Sequence, residues 1–470
     1  MDTEGHAGES VEKPTGTDTC PKPGNPYKGV FYANDFGYLE GACRAHNESD
    51  DPLVGLTDRF KRMKLAENVT LDLGGQYRLR YHDENNHGLT RLNGLDNEFL
   101  LSRLRVYGNL EVGDHVRVYV EGIDAAATGE SLPNRGIEVD RHDLLNGFVD
   151  VSFAAGESDV TLRAGRQELL FGNQRLISPL DWGNTRRTFD GFRANISRPL
   201  GEGDTLDVSL FAVRPREVEK TGFNDTNDSV DFLGAYATLD LGAHSFDLYS
   251  LSLEETGLPT DNFHLFTHGV RWNGRFGNLL GEMEAAIQRG NLGGQDHNAE
   301  MLTLGLGYDF GAFSDWKPKA WLYYDYASGD GQPNDGVHGT FRQHFPLAHA
   351  WLGLIDLVAR QNIKAGSFKT SFQPTDWLTL APQLHSFHLA DSRDGLYNAG
   401  GAIIRRDPTG QAGSHVGEEL DVVAKIKLPS RMGLMIGWSK FWGAGFIDDT
   451  NPAGVGGNAD FGYVQWMMHF

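Results

Sequence analysis

Arginine is concentrated in one stretch of an otherwise acidic chain. Residues 160–198 hold Arg163, Arg166, Arg175, Arg186, Arg187, Arg193 and Arg198 against only Glu168, Asp181 and Asp190. Over the whole chain the balance is reversed, with 42 Lys and Arg to 64 Asp and Glu and a net charge of −22. A guanidinium stays charged at physiological pH and meets a carboxylate through a planar two-pronged fork. A cluster of them is chemistry for holding or conducting carboxylate-bearing anions. The competing reading is that each arginine pairs with an Asp or Glu and braces the fold. The acidic total speaks against a nucleic-acid partner, although the field at any one site depends on its own neighbours.

These side chains need elements to position them. From Val69 on, Leu71, Leu73, Tyr77, Leu79 and Tyr81 alternate with Thr70, Asp72, Gln76, Arg78, Arg80 and His82. A period of two marks a strand with one apolar and one polar face. The run is about 13 residues long, against roughly 5 to 6 for an average strand, and long tilted strands are what crossing a bilayer requires. Similar segments near 98–112, 115–124, 142–154, 159–170, 188–198, 204–214, 230–241, 244–254, 263–275, 278–289, 299–310, 317–327, 361–373, 377–390, 415–428, 432–444 and 460–470 bring the expected count to eighteen.

Short connections such as Gly113-Asp114, Gly242-Ala243 and Pro374-Thr375-Asp376 alternate with long ones at 82–97, 125–141, 171–187, 215–229, 290–298, 328–360, 391–414 and 445–459. Sorting turns from loops in this way fits an all-β, closed, antiparallel transmembrane barrel of 18 strands, with long extracellular loops and short periplasmic turns. An even strand count leaves both termini on the short-turn side. The mean hydropathy of −0.41 is compatible with this, because barrel strands are only half lipid-facing. The expected surroundings are outer-membrane lipid. Arg78, Arg80, Arg103, Arg105 and Arg117 fall in the polar phase of the alternation and are expected to face the lumen.

Residues 1–65 form an N-terminal extension ahead of a barrel at 66–470. Its first 15 or so residues have a disordered composition, and Asn25–Leu39 is aromatic enough to dock somewhere. Cys20 and Cys43 are the only cysteines. They suggest one disulfide formed in an oxidising compartment; two free thiols are the alternative. Met1 is followed by DTEGHAGES, which is no signal peptide, so a removed signal is expected. At the other end Gly462, Val464, Trp466, Met468 and Phe470 occupy alternate positions up to the last residue. They resemble the recognition signal that the outer-membrane barrel-assembly machinery reads.

Asp181-Trp182-Gly183-Asn184-Thr185 lies between two strands. If it folds inward it contributes to a constriction, with Trp182 offering an apolar face to sugar rings; the alternative is an aromatic packed under a loop. In Phe345–Gln361, Leu347, Trp351, Leu354, Ile355 and Val358 have helical spacing, consistent with a short helix that occludes the pore or with a packed loop. The acidic stretches Ser328–Gly336 and Asp391–Gly395 lack the spacing of a calcium loop and read as solvated loops. Zinc, dinucleotide and nucleophile-elbow motifs are absent. No metal, no cofactor and no catalytic residues are therefore expected, and the protein is not read as an enzyme.

Three stretches, GRQELLFGNQRLISPLDWGNTRRTFDGFR (Gly165–Arg193), VGEELDVVAKIKL (Val416–Leu428) and ADFGYVQWMMHF (Ala459–Phe470), resemble the alginate-export family of outer-membrane barrels. The resemblance extends over roughly residues 65–470. It implies an eighteen-stranded barrel whose inward-folding loops shape a polar, Arg-rich constriction that passes an anionic polysaccharide outward. The expected function is thus a channel for an anionic exopolysaccharide of alginate type. The expected pore residues are Arg78, Arg80, Arg103, Arg105, Arg117, Arg163, Arg166, Arg175, Asp181, Trp182, Arg186, Arg187 and Arg193. The alternative is a general or substrate-specific diffusion porin for small solutes, favoured by acidic external loops that would repel a departing polyanion. A membrane-embedded hydrolase lacks any Ser/His/Asp arrangement, and a soluble polysaccharide-binding β-protein would purify without detergent.

Overall fold

The computed structural model describes residues 20, 24–47, 49–88, 90–201, 203–257, 262–333 and 335–470. The first 15 or so residues, expected to be disordered, lie outside them. Among the described residues eighteen long strands form the wall: β1 (Val69–Asn85), β2 (Asn97–Val112), β3 (Val116–Thr128), β4 (Asp140–Ala155), β5 (Ser158–Gln167), β6 (Phe189–Gly201), β7 (Asp204–Glu217), β8 (Val230–Leu241), β9 (His244–Glu255), β10 (Phe263–Phe276), β11 (Leu279–Leu292), β12 (Gln295–Asp309), β13 (Lys319–Ala327), β14 (Ile363–Thr375), β15 (Leu378–Leu389), β16 (His415–Leu428), β17 (Met432–Gly443) and β18 (Ala459–His469). Each pairs antiparallel with the next, and β18 returns to β1 from Gln76↔His469 to Asn85↔Asp460. Closure leaves the sheet without the unpaired edges that promote aggregation.

The expected sorting of connections holds with two corrections. The stretch 290–298, expected as a long loop, is a tight hairpin: β11 and β12 run on to Leu292 and Gln295 around Gly293-Gly294. Both glycines have positive φ, 59° and 81°, as a two-residue hairpin matched to strand twist demands. Its strands continue beyond the apolar alternation, where both faces are polar and carry no period-two signal. On the turn side the connection 310–318 is nine residues long.

Parity then sets each side chain's face. Leu104, Val106, Val120, Val149, Leu162 and Phe192 are exposed on the outer wall, whereas Arg78, Arg80, Arg103, Arg105, Tyr107 and Tyr119 in the opposite phase are buried. The turn-side rim carries exposed Phe276, Phe310, Phe313, Trp316 and Trp377, placed as an interfacial aromatic girdle would be.

The N-terminal segment closes the turn-side end. Cys20 and Cys43 form a disulfide that encloses Tyr27, Val30, Phe31, Tyr32, Phe36, Tyr38 and Leu39; these pack in one buried cluster with Tyr107, Tyr119 and Phe148 of the lumen wall. Helix α1 (Cys43–His46) and helix α2 (Pro52–Asp58) follow. Asp51 caps α2 by accepting from the backbone N–H groups of Leu53 and Val54. The arm Met63–Ala66 then pairs with Val69–Leu71, on a stretch of β1 that lies below the start of its pairing with β18 at Gln76. The buried Lys61 donates to the carbonyl of Phe470 at 3.1 Å. A Cβ on Gly74 would stand 2.0 Å from Lys61 Nζ and 2.6 Å from that carbonyl oxygen, so only glycine leaves room for this junction.

Candidate pore constriction

The connection between β5 and β6, residues 168–188, folds into the barrel and is held there by wall arginines. Arg78 donates to the carbonyls of Asp181 (2.8 Å) and Gly183 (2.7 Å). Arg80 donates to the carbonyl of Trp182 at 2.7 Å, and Arg103 donates to that of Gly183 (3.1 Å) and to the Asp181 carboxylate (2.8 Å). Asn184 donates from Nδ2 to the carbonyls of Ser102 (2.9 Å), Ala126 (3.1 Å) and Glu138 (2.9 Å). A loop away from water must satisfy its backbone polar groups somewhere. Here the wall supplies the partners.

The charges are linked in a chain. Arg105 bridges Glu121 (2.6 Å) and Glu168 (3.5 Å); Arg186 joins Glu168 to Asp181; Asp181 meets Arg103. Arg78, Arg80, Arg103, Arg105 and Arg186 thus face Glu121, Glu168 and Asp181, five guanidiniums against three carboxylates. Glu121 and Glu168 are fully buried, while the Asp181 side chain is 53% exposed. Enclosure by protein pushes the Asp181 carboxyl up, but Arg103, Arg186, Arg78 and Arg105 together outweigh that and hold it well below its ordinary range.

A second connection, 328–362, meets the first inside the lumen. Ile177 and Phe345 form a parallel bridge, and Arg187 donates to the carbonyls of Ser178 (3.1 Å) and Pro346 (3.3 Å). Trp182 is sandwiched between Arg80, 3.8 Å from its ring centre, and His349, stacked at 3.5 Å. The helical spacing read in Phe345–Gln361 yields only a 3-10 turn, Ala348–Ala350. Leu347, Trp351, Leu354, Ile355 and Val358 are all buried nonetheless, because an irregular strand of chain enclosed by a barrel can bury side chains in every direction. The N–H of Ile355 donates to Glu419 on β16 at 2.9 Å.

The other arginines divide by position. Arg117 and Arg163 face the turn-side lumen; Arg117 donates to Asn109 and to the carbonyl of Tyr32, both at 2.6 Å, and Arg163 pairs with Asp150 at 2.7 Å. Arg193 lies over Phe171 and donates to Ser209 at 3.0 Å. Arg175 reaches across the lumen to Glu282 and Glu284 on β11. Arg166 is not among the lumen residues. It shares the phase of Leu162 and pairs with Asp190 (3.1 Å) on the outer face of the wall. Arg198 has the phase of Phe192, is half exposed and pairs with Glu157 at 2.7 Å. Counting arginines across 160–198 without regard to alternation brought these two in; the phase of each strand separates them. Glu121 and Glu168 as ion-pair hubs, and His349 behind Trp182, were not singled out beforehand. The inward phase of β3 marks Glu121, but the loop partners carry no local signal.

Comparison with known proteins decides the family. The family model described as alginate export matches residues 69–455. The chain belongs to the alginate-export family. A search of curated proteins by sequence found no match. Among solved structures this family member is similar to three outer-membrane barrels of Pseudomonas aeruginosa. For OpdK the TM-score is 0.54 at 13% identity, covering 85% of this chain and 99% of that one. For OprE it is 0.54 at 12%, covering 85% and 98%. For OpdO it is 0.53 at 13%, covering 85% and 96%. At such identities the likeness is one of fold. Family and fold are those of outer-membrane transport channels, and this alginate-export barrel is a channel of the bacterial outer membrane.

Proposed function

We propose that this channel passes an anionic, uronate-bearing exopolysaccharide of alginate type, and that the arginines around Asp181 form its constriction. The observation that carries the reading is the placement of Asp181. One loop carboxylate, half exposed, sits among guanidiniums whose remaining hydrogen bonds go largely to loop carbonyls. A uronate carboxylate offers the same oxygen pair, and charge-assisted bonds to it are stronger than those to neutral carbonyls. Asp181 therefore stands where a substrate carboxylate would bind, and the loop closes the constriction by substituting for it. The polymer enters by exchange, one carboxylate for another, and a charged ring of this kind selects by sign. The outward-phase alternation Val464, Trp466, Met468 at the chain end, finishing on Phe470, supports recognition by the barrel-assembly machinery.

Single-channel conductance in a planar bilayer, with added oligouronates, tests the reading. Anion selectivity and block by oligouronates, both weakened in Arg78→Ala and Arg103→Ala, are the expected results. Cation selectivity without block would overturn it in favour of a diffusion porin for small solutes. That second reading draws on the structural neighbour OpdK, which has been crystallised with vanillate, a single small carboxylate.

A further inference from the structure

The turn-side lumen holds a second arrangement of rings and guanidiniums, outside the constriction. Tyr107, Tyr119 and Phe148 project inward from the adjacent strands β2, β3 and β4. Their rings lie nearly parallel, Tyr107 to Tyr119 at 5.8 Å and 19°, and Tyr119 to Phe148 at 5.2 Å and 17°. Arg163 covers the Phe148 face at 3.6 Å, and Arg117 lies 5.4 Å from the Tyr119 ring centre. A row of offset, stacked rings edged with guanidinium forks suits a pyranose chain that carries carboxylates: the uncovered parts of the rings take the C–H groups of the sugars and the forks take the acids. The platform leads to the constriction. Tyr107, Arg105 and Arg103 are successive inward positions on β2, about 7 Å apart by strand geometry.

In the structure this platform is occupied by the protein's own N-terminal segment. Phe31 lies under Arg105 at 3.7 Å. Tyr32 meets Tyr119 and Phe148 edge-on at 6.0 and 5.3 Å, and Arg163 lies over its ring at 4.3 Å. Arg117 donates to the carbonyl of Tyr32 at 2.6 Å and Arg186 to that of Gly29 at 2.9 Å. The segment thus offers rings and oxygens in the positions that a sugar chain would use. Its oxygens are neutral carbonyls, weaker acceptors than a carboxylate. Asp150 and Glu121 partly neutralise Arg163 and Arg105, so stacking rather than net charge holds the occupant. The Cys20–Cys43 disulfide closes the segment into a loop, which keeps it beside the platform and lets it return after release.

We propose that Tyr107, Tyr119 and Phe148, with Arg105, Arg117 and Arg163, are an entrance subsite for the polymer, and that the disulfide-closed N-terminal loop is a plug that competes with the polymer for it. The chemistry of the ligand rests on the uronate reading above; the identity of the plug does not. A competitor within the same chain lowers the apparent affinity by the fraction of molecules in which the subsite is free.

The test is calorimetric binding of a short defined oligouronate to the detergent-solubilised, oxidised full chain. Heat-modifiable gel mobility reports that each variant is a folded barrel. Phe31→Ala with Tyr32→Ala should bind about tenfold more tightly than the natural chain or better, since the free fraction rises. Tyr32→Phe, which keeps the ring but loses the hydroxyl's 2.6 Å bond to the Glu168 carbonyl, should bind between the two. Adding Tyr119→Ala and Phe148→Ala to the first variant should abolish the gain. Hydrogen exchange of residues 25–40 should quicken when the oligouronate is added. Equal affinity in the natural chain and the Phe31/Tyr32 variant, or unchanged exchange on binding, would overturn the subsite while leaving the constriction intact. No binding by any form would overturn the uronate reading and the subsite with it.

Discussion

Two of the connections that fold into this barrel are held by different balances of polar and apolar contact. Residues 168–188 are fixed by polar groups: guanidiniums of Arg78, Arg80 and Arg103 on loop carbonyls, a carboxylate at Asp181 and an ion pair at Glu168. Residues 347–358 are fixed mainly by burial, with Leu352, Leu354, Ile355, Leu357 and Val358 all under 5% exposed, and only secondarily by wall bonds from Lys369 and to Glu419. An apolar loop is released only by losing its packing, which no ion in solution replaces. A polar loop can be exchanged for any group that presents the same oxygens. On the proposed reading the first connection serves as a gate and the second as the wall it closes against, with Trp182 stacked on His349 where they meet.

Four measurements would break or sharpen that contrast. The largest effect is expected from Glu168→Ala, which takes one carboxylate from each of two buried guanidiniums and leaves Arg105 only Glu121 and Arg186 only Asp181. Removing one partner of a buried pair costs about 3–5 kcal/mol, to be read by urea unfolding in lipid vesicles, and here ion selectivity should change too. Ile355→Ala should cost about 2–4 kcal/mol by leaving a cavity while anion selectivity stays as it was. A selectivity change there would erase the distinction between gate and wall. Asp181→Asn should cost less stability than Glu168→Ala, because its side chain is half exposed and the amide keeps an oxygen for Arg103 and Arg186, but should raise oligouronate affinity several-fold by weakening the internal competitor. The smallest effect is the pH dependence of the natural gate. The Asp181 carboxyl is held below its ordinary range. Its contribution is therefore complete above the unperturbed pKa of about 3.9 and is lost only as pH falls through the lower folded value. Closed-state occupancy should be flat from about pH 5 to pH 8; a transition inside that window would mean that a group other than Asp181 controls closure.

Much of the wall was legible because a lipid-facing strand must alternate. Leu71, Leu73, Leu79 and Tyr81 set against Asp72, Arg78, Arg80 and His82 define both the strand and its inward face. The same rule placed Arg103 and Arg105, and applied residue by residue it excludes Arg166 and Arg198. The signal fades where both faces meet water, which is why the β11–β12 hairpin was expected to end sooner. It vanishes for chain inside the barrel. Phe31, Tyr32, Trp182 and Ile355 have no regular neighbours along the sequence, and the partners that position them lie from tens to hundreds of residues away. The arginine concentration around Asp181 marks a loop that folds inward, but only the wall contacts show which arginines hold it.

The seam between β1 and β18 also dictates an order of events. His469, the last paired residue of β18, stacks on Tyr27 at 4.5 Å and lies 5.8 Å from Phe31, so the segment ahead of β1 rests partly on the last strand of the wall. The segment ahead of β1 therefore settles only after β18 has closed the wall, and it must wait unfolded or disulfide-looped while eighteen strands close. A refolding time course should register the heat-resistant barrel before it registers protection of Tyr27.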